Sequence, residues 1–559
     1  MLNPDNKQKK KPIGELLKDK GIISHSHIEF ALQFQKVSRD KLGEILEQLG
    51  FVTDHDVVLC LSEQEGFPYI DLVQVMPQIE ILKLFNKNMC LTNLFLPMRV
   101  KDKTIEVAFY RTWDMKIVQI ITRQTGRNVK LFIAERRQII NAINTYFYFV
   151  EHPVEKLIEK EIQLITQDTE FVRDMDNLIN YIFHLAVKMR TTDIHIRPIR
   201  ETLNIAFRID GVMTSIISLP RSLNRIITTL KMKSEMDIAE QRLPQDGRFS
   251  ATILDNAYDF RVSTTVSPLG ENMVLRVLPT ESALMSLEQL GFFKKHIKKV
   301  HQMFNEPYGI ILITGPTGSG KSTTLYAGIR SLNLLEKNVV TVEDPVEYEI
   351  PMLRQTQVNN KAGYTFANAI RYFLRHDPDV ILLGEIRDAE TATTAVTAAT
   401  TGHLVLSTLH TNTSIGAIPR LNDLKVPPFL IADSLIGVIS QRLVRKICKN
   451  CKVAYKPRQW EKDYLQNSSI DRLYRGKGCE LCNNTGYLGR TLIYEILVVN
   501  NQIAALINRS VDLTMIDTKA RETGFIDIFD VMFAKIKAGI STTEESIRVL
   551  GRVRKTGVI

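Results

Sequence analysis

Ile310-Ile311-Leu312-Ile313-Thr314-Gly315-Pro316-Thr317-Gly318-Ser319-Gly320-Lys321-Ser322-Thr323 is an apolar strand running into G-x-x-x-x-G-K-S. Strand, glycine-rich turn, lysine and hydroxyl follow one another in the order of a phosphate-binding loop. Glycines let the backbone bend so that successive N–H groups converge on one anion. Lys321 is placed to reach the β- and γ-phosphates of a nucleotide, and Ser322 to hold Mg²⁺ through its hydroxyl. A helix starting near Lys321 adds its positive end. The candidate nucleotide contacts are Gly315, Pro316, Thr317, Gly318, Ser319, Gly320, Lys321, Ser322 and Thr323. The bland alternative, a glycine-rich turn that binds nothing, leaves the register of strand, lysine and serine unexplained.

Around this segment, from about residue 284 onward, strands and helices alternate, which predicts a parallel sheet. The expected strands are Ile310–Thr314, Val339–Val342, Val380–Leu383 and Leu404–Thr408, and each ends in polar residues. In doubly wound sheets ligands sit at the carboxyl ends of the strands. The polar ends are Glu343-Asp344-Pro345, Glu385-Ile386-Arg387-Asp388 and His410. An NTPase needs an acid near Mg²⁺, a group that orients the attacking water and a sensor of the γ-phosphate. Glu385 stands where a Walker B acid would be, Glu343 suits the base, and His410 suits the sensor. The competing reading is three polar residues that merely cap strands.

Cys448-x-x-Cys451 and Cys479-x-x-Cys482 are separated by 27 residues. Two such pairs supply four thiolates for tetrahedral zinc, and Gly476, Gly478 and Gly486 favour the tight turns of the knuckles. A closed four-thiolate site leaves no position for water, so this metal is expected to be structural. A redox pair is the alternative reading of a C-x-x-C. Cys60 and Cys90 lie apart and read as buried small hydrophobes.

The chain has 559 residues, too many for one core, so three or four domains are expected. A formal charge of +10 suggests either an anionic partner or a diffusely solvated surface, with Lys7 to Lys11 the one dense basic run. No apolar run is long enough to span a bilayer and no apolar core follows the basic N-terminus, so a cytoplasmic location is expected. Six cysteines in this length do not suggest a disulfide scaffold. Near the N-terminus, Pro12-Ile13-Gly14-Glu15-Leu16-Leu17 aligns with Lys41-Leu42-Gly43-Glu44-Ile45-Leu46, Gly21 with Gly50, Ile28 with Val57, Leu32 with Leu61 and Gln35 with Gln64, all 29 residues apart. Each copy reads as a short helix, a glycine turn and a second helix, a packing module by default. Leu91 to about Ile143 reads as a small α/β unit. A charged, helix-prone stretch from about 146 to 170 reads as a linker, and residues 171–283 as an α+β domain. In that domain Asp193–Arg197 and Asn204–Ile209 are expected strands, and Pro244-Gln245-Asp246-Gly247-Arg248 an expected turn between strands.

Four ordered boxes now stand together: the phosphate loop, the acidic stretch Thr341 to Glu347, Asp377-Pro378-Asp379 through Gly384-Glu385-Ile386-Arg387-Asp388, and Thr401-Gly402-His403 through Leu409-His410-Thr411-Asn412. In these the chain resembles the ATPases that power type II secretion and type IV pilus assembly, over roughly residues 170 to 559. The resemblance implies an α/β multidomain protein. Its P-loop core is a RecA-like parallel sheet at 284–500, with the four-cysteine insert at 448–482. A PAS-like α+β domain at 171–283 precedes the core, an N-terminal domain at 1–145 carries the helical repeat and the α/β unit, and a helical region at 501–559 follows. It implies Mg²⁺-dependent hydrolysis of ATP, with Glu343 as the catalytic acid of the acidic box, Glu385 as the Walker B acid, and His403 and His410 as a histidine box. In the family the domain ahead of the core supplies arginines that close over the nucleotide. The matching segments here hold Arg208, Arg248 and Arg261, while Ala206 stands where the family often has a second arginine.

The same resemblance implies a homo-hexamer. Its implied partners are an inner-membrane platform protein and a docking protein, with the ATPase peripheral at that membrane and no direct nucleic-acid contact. The four-cysteine insert and the long N-terminal region fit assembly rather than pilus retraction, and the N-terminal repeat tilts the expectation towards a pilus over type II secretion. The repeat itself resembles the R-L-G-x-x-L…G…L-x-x-x-L-x-x-Q motif that binds cyclic di-GMP in some of these ATPases. Pro12 and Lys41 occupy the arginine positions, so a cyclic di-GMP sensor and a helical docking module are both open. Two other classes remain beside this one, a nucleic-acid motor and a scaffold that binds ATP without hydrolysing it.

Overall fold

The structure is a computed structural model that describes residues 11–110, 114–167, 174–280 and 285–551. The basic residues Lys7 to Lys10 and the expected boundaries at 170/171 and 283/284 lie outside the described residues. The chain forms two compact units, one combining the residues up to Cys60 with the C-terminal chain, the other running from Leu61 through the middle sheet.

In the second unit, Phe95–Lys101 pairs antiparallel with Thr104–Phe109, which pairs parallel with Asn128–Ile133 across the helix Met115–Thr125. This is the small α/β unit that the alternation from Leu91 predicts. Helices Arg136–Glu151 and Val154–Gln167 follow, and Val154, Ile158 and Ile165 are buried in the same apolar cluster as Leu178 and Ile182 of the helix Asp176–Lys188. That cluster covers one face of a six-stranded antiparallel sheet. Its strand order is Val212–Pro220, Thr202–Ile209, Thr191–Pro198, Gly270–Pro279, Asn256–Ser267, Gln245–Ile253. Period-two alternation turns Ile194, Phe207, Phe260 and Leu275 into the core, where Phe183 stacks on Phe260 with ring centroids 4.6 Å apart. The expected turn at Pro244–Arg248 is corrected here: Gln245 to Arg248 belong to the strand Gln245–Ile253. Gly247 signals close packing, not a turn, because a Cβ there would lie 2.3 Å from the Ser234 carbonyl oxygen.

The first unit is built on a seven-stranded sheet in the order Arg354–Gln357, Val339–Glu343, Val380–Leu383, Leu404–Leu409, Gly309–Thr314, Leu435–Ile447, Tyr487–Val498. Every neighbouring pair is parallel except the last, where Leu435–Ile447 and Tyr487–Val498 form a long antiparallel hairpin. All four strands expected from the alternation are present. Their residues are buried throughout, as in a sheet covered by helices on both faces.

The N-terminal repeat is structural as well as sequential. Helices Ile13–Asp19 and His25–Ser38 are followed by Leu42–Gln48 and Asp54–Glu65. Leu17 and Leu46 are fully buried, as are Ala31 and Cys60, the equivalent positions of the two copies. Gly21 and Gly50 both take positive φ, 69° and 76°, where a side chain would be strained. The second copy meets the core of the first unit, where the Arg330 Nε donates to the Gly50 carbonyl at 3.1 Å. Cys60 and Cys90 are buried as expected, and burial pushes the Cys90 thiol up to about 12. Among the described residues no helix is long and apolar enough to cross a membrane.

Candidate active site

The loop after Gly309–Thr314 is shaped by glycines in conformations that favour glycine. Gly315, Gly318 and Gly320 take φ of 140°, 75° and 84°, and a Cβ on Gly315 would lie 2.3 Å from the Gln441 carbonyl oxygen. The helix Lys321–Ile329 starts at Gly320 with no side-chain cap, so its first N–H groups face the loop and are left for an anion. The Ser319 Oγ is buried without a hydrogen-bond partner among the described residues, as is the Thr314 Oγ1. Pro316, Thr317, Gly318 and Ser322 are exposed, and Thr323 is half-buried. The Lys321 ammonium folds back onto the loop, donating to the carbonyls of Gly315 at 3.1 Å and Pro316 at 3.3 Å. Burial lowers its pKa, with Glu385 acting in the opposite sense. Gln441, on the neighbouring strand, braces the loop: its Nε2 donates to the Ser319 carbonyl at 2.9 Å and its Oε1 accepts from the Thr324 hydroxyl at 2.9 Å.

The parallel register brings the carboxyl ends of four adjacent strands together. Val342 pairs with Leu383, Leu383 with Ser407, and Leu409 with Thr314, so Glu343, Glu385 and His410 stand in a row beside Gly315. Glu343 is 4% exposed and held on both oxygens. The Tyr326 hydroxyl donates to Oε2, while Thr341 Oγ1 at 2.8 Å and Gln355 Nε2 at 3.1 Å donate to Oε1. Glu385 lies between Arg387, 2.5 Å from one oxygen, and the His410 Nε2, 3.3 Å from the other. His403 does not join them. It precedes the strand Leu404–Leu409 at the opposite end, where its carbonyl accepts from Gly309 N. The exposed Ser322 hydroxyl and the Glu385 carboxylate are oxygen donors of the kind that suit a hard cation such as Mg²⁺.

The sequence-predicted arginines lie in the other unit, on the solvent face of the six-stranded sheet. Its register lines up one charged residue from each of five strands. Arg208 pairs with Asp193, Asp193 with Arg276, Arg276 with Arg261, and Arg261 with Arg248. Directly paired residues share a face. Asp193 tethers two of them, lying 3.7 Å from the Arg208 Nε and 3.1 Å from the Arg276 Nε.

The four cysteines converge, and their Sγ atoms all lie within 4.8 Å of one another. Cys448 to Cys479, Cys451 to Cys482 and Cys479 to Cys482 are 3.8, 3.9 and 3.7 Å apart. A zinc ion with tetrahedral thiolates at about 2.3 Å needs edges of about 3.8 Å, so the site fits zinc. Backbone N–H groups of Cys479 and Gly486 point at the Cys482 sulfur at 3.2 and 3.3 Å, as they would to a thiolate. The knuckle glycines are needed: a Cβ on Gly476 would lie 2.1 Å from the Gly486 carbonyl oxygen, and Gly478 and Gly486 take positive φ.

Sequence reasoning missed Tyr326, Gln355, Gln441 and Arg276. The first three reach the site from other elements through buried hydrogen bonds, and Arg276 is drawn in only by strand pairing. An available signal was the burial of a polar residue inside an apolar stretch, as with Tyr326 among Leu325, Ala327 and Ile329.

Comparisons with known proteins agree with this architecture. The family described as type II/IV secretion system protein matches residues 166–548, and the MshEN domain matches residues 65–152, after the 29-residue repeat. The chain is 41% identical over 440 residues to the type II secretion system ATPase E of Vibrio cholerae, covering 78% of this chain and 85% of that one. It is 34% identical over 557 residues to the type IV pilus assembly ATPase PilB of Myxococcus xanthus, covering 96% of this chain and 98% of that one. The Legionella pneumophila ATPase DotB shares the fold at 20% identity and a TM-score of 0.50, over 69% of this chain and 98% of that one. With a phosphate loop, aligned acidic strand ends and a family match over most of its length, this chain belongs to the type II/IV secretion system protein family, whose relatives here are secretion and pilus-assembly ATPases.

Proposed function

We propose that this chain is a Mg²⁺-dependent ATPase that acts as a homo-hexamer to drive type IV pilus assembly at the inner membrane. The observation that carries the hydrolytic reading is the row of Glu343, Glu385 and His410 beside the phosphate loop, at the ends of adjacent parallel strands. Lys321 and the loop N–H groups bind the β- and γ-phosphates. Mg²⁺, held by Ser322 and near Glu385, supplies positive charge to the phosphates when bound. Glu343 orients the attacking water and takes its proton as the bond from the γ-phosphorus to the ADP oxygen breaks. His410 contacts the γ-phosphate. Arg208, with Arg248 and Arg261, is brought over the nucleotide and stabilises the charge of the transferring group. Binding and release of those arginines rotate the middle domain against the core, a rigid-body switch, and a platform protein in the membrane takes up the motion. Cys448, Cys451, Cys479 and Cys482 hold a structural zinc. The proposed domains are 1–145, 171–283, 284–500 and 501–559, with a linker at 146–170 between the first two.

Pilus assembly is favoured because similarity to a PilB runs nearly end to end. Type II secretion is the second reading, favoured by the higher identity to an ATPase E over the core. The N-terminal repeat is proposed to bind cyclic di-GMP or to dock on the membrane machinery. Isolated residues 1–150 with no affinity at high micromolar cyclic di-GMP would leave only the docking role.

The test is ATPase rate against protein concentration with mass from light scattering, using Lys321→Ala as control. Turnover that rises as a hexamer forms and vanishes in the control supports the ring motor. A fully active monomer overturns it. Restoring pili, but not secretion, in a host lacking its own assembly ATPase separates the two readings.

A further inference from the structure

Tyr326 sits in the helix that begins at the phosphate loop, five residues after Lys321, and is 1% exposed. A phenylalanine would fill the same space without burying a hydroxyl, and a buried hydroxyl is destabilising unless it is hydrogen-bonded. The partner of this hydroxyl is Glu343 Oε2. The other two donors to Glu343 come from within the sheet, Thr341 on its own strand and Gln355 on the adjacent one. Tyr326 is thus the hydrogen bond that joins this carboxylate to the helix carrying the phosphate loop. Tyr348 packs beside it, with its ring edge-on to Tyr326 at 4.7 Å.

An ionised carboxylate has about four acceptor sites. Three protein donors fix the direction of Glu343 and leave about one site for a water. We propose that Tyr326 is a positioning residue for hydrolysis, aiming the Glu343 carboxylate and locking its position to that of the phosphate loop. Burial and the neighbouring carboxylate raise the Tyr326 phenol, so it remains a donor throughout the working pH range. The proposal rests on Glu343 being the base.

The experiment compares the pH dependence of kcat for the full-length protein, Tyr326→Phe and Glu343→Gln. The titratable and charged groups around Glu343 are Tyr326 on the helix and Asp344, Glu347 and Tyr348 on the following loop, with Arg330 acting on Tyr348. Loss of a donor to a carboxylate makes it easier to protonate. In Tyr326→Phe the acid limb of kcat should therefore move to higher pH. Above the limb kcat should fall about ten- to a hundredfold, with the KM for ATP and the melting temperature unchanged. Replacing Tyr326 with 3-fluorotyrosine preserves the shape, makes the phenol a stronger donor, and should move the limb down. This arm also serves if Tyr326→Phe does not fold. A purely structural role moves neither limb. An inactive Glu343→Gln beside Tyr326 variants with unshifted limbs overturns the proposal and leaves the base assignment standing. Full activity in Glu343→Gln overturns both.

Discussion

The two large sheets of this protein carry charge in opposite ways. In the seven-stranded sheet, charge lies at the ends of parallel strands, and each group has a partner close by: Glu343 has Tyr326, Thr341 and Gln355, Glu385 has Arg387 and His410, and Lys321 has two loop carbonyls. In the six-stranded sheet, charge runs across the strands, and Arg248, Arg261 and Arg276 face one another with Asp193 as the one acid in the row. Like charges directly opposite on a sheet are destabilising by about 0.2–1 kcal/mol each. The first arrangement pairs each of these charged groups within the chain, while the buried Ser319 and Thr314 hydroxyls beside them have no partner among the described residues. The second gathers four arginines on one face around a single acid, with Arg208 and Arg276 both held by Asp193.

The contrast can be broken in graded steps. The largest effect is expected from Arg208→Ala, which should lower ATP turnover about a thousandfold if its guanidinium meets the transferring phosphoryl group, measured as steady-state phosphate release. Near-normal turnover would reduce the arginine row to a surface feature. Next comes metal removal. Chelation of zinc from the four-cysteine site should lower the melting temperature in calorimetry by about 10 °C or more, because such a site contributes directly to folding. Smaller still, Arg276→Gln removes both the like-charge contact with Arg261 and the ion pair with Asp193, so the nucleotide-free melting temperature should shift by no more than about 2 °C while hydrolysis weakens.

The smallest effect concerns Lys535, buried at 2% exposure with the Gly291 carbonyl at 2.7 Å and the Thr491 hydroxyl at 3.0 Å as partners. Burial, with Lys446 nearby, lowers its pKa from the usual 10.5 to about 8. Between those values the unfolded chain binds more protons than the native one, so stability should rise with pH across that window. Denaturant midpoints for the protein and Lys535→Met across pH 7.5–10 should show this slope only in the protein. By contrast, Lys231 in the helix Arg225–Lys233 of the other unit is also buried but paired with Glu271 at 2.9 Å.

Features written in short stretches are legible in the residues alone. The phosphate loop, the four parallel strands and the cysteine knuckles depend on neighbours in sequence, and all appear where the residues put them. What escaped depends on distance along the chain. Gln441 meets the phosphate loop across 122 residues, and no local pattern marks it as a brace in a strand that also carries Ser440, Arg442, Arg445 and Lys446. Arg276 becomes notable only once antiparallel pairing sets it opposite both Asp193 and Arg261. Gly247 misled because a glycine needed for a close approach looks the same in sequence as one needed for a turn. His403 shares a box with His410, but six residues of strand hold the two apart.

The strand Leu435–Ile447 carries Gln441 and leads directly into Cys448. Its partner Tyr487–Val498 leaves the same knuckle, with Cys448 N bonded to the Gly486 carbonyl at 3.0 Å. Six residues of strand, seven residue steps of about 23 Å in all, separate the phosphate-loop brace from the first thiolate. A slip of one residue in this hairpin would turn Gln441 to the opposite face. The knuckle sits like a gauge block at the far end of a ruler whose other end, Gln441, braces the phosphate loop, so stripping metal from it is expected to show in nucleotide affinity as well as in stability.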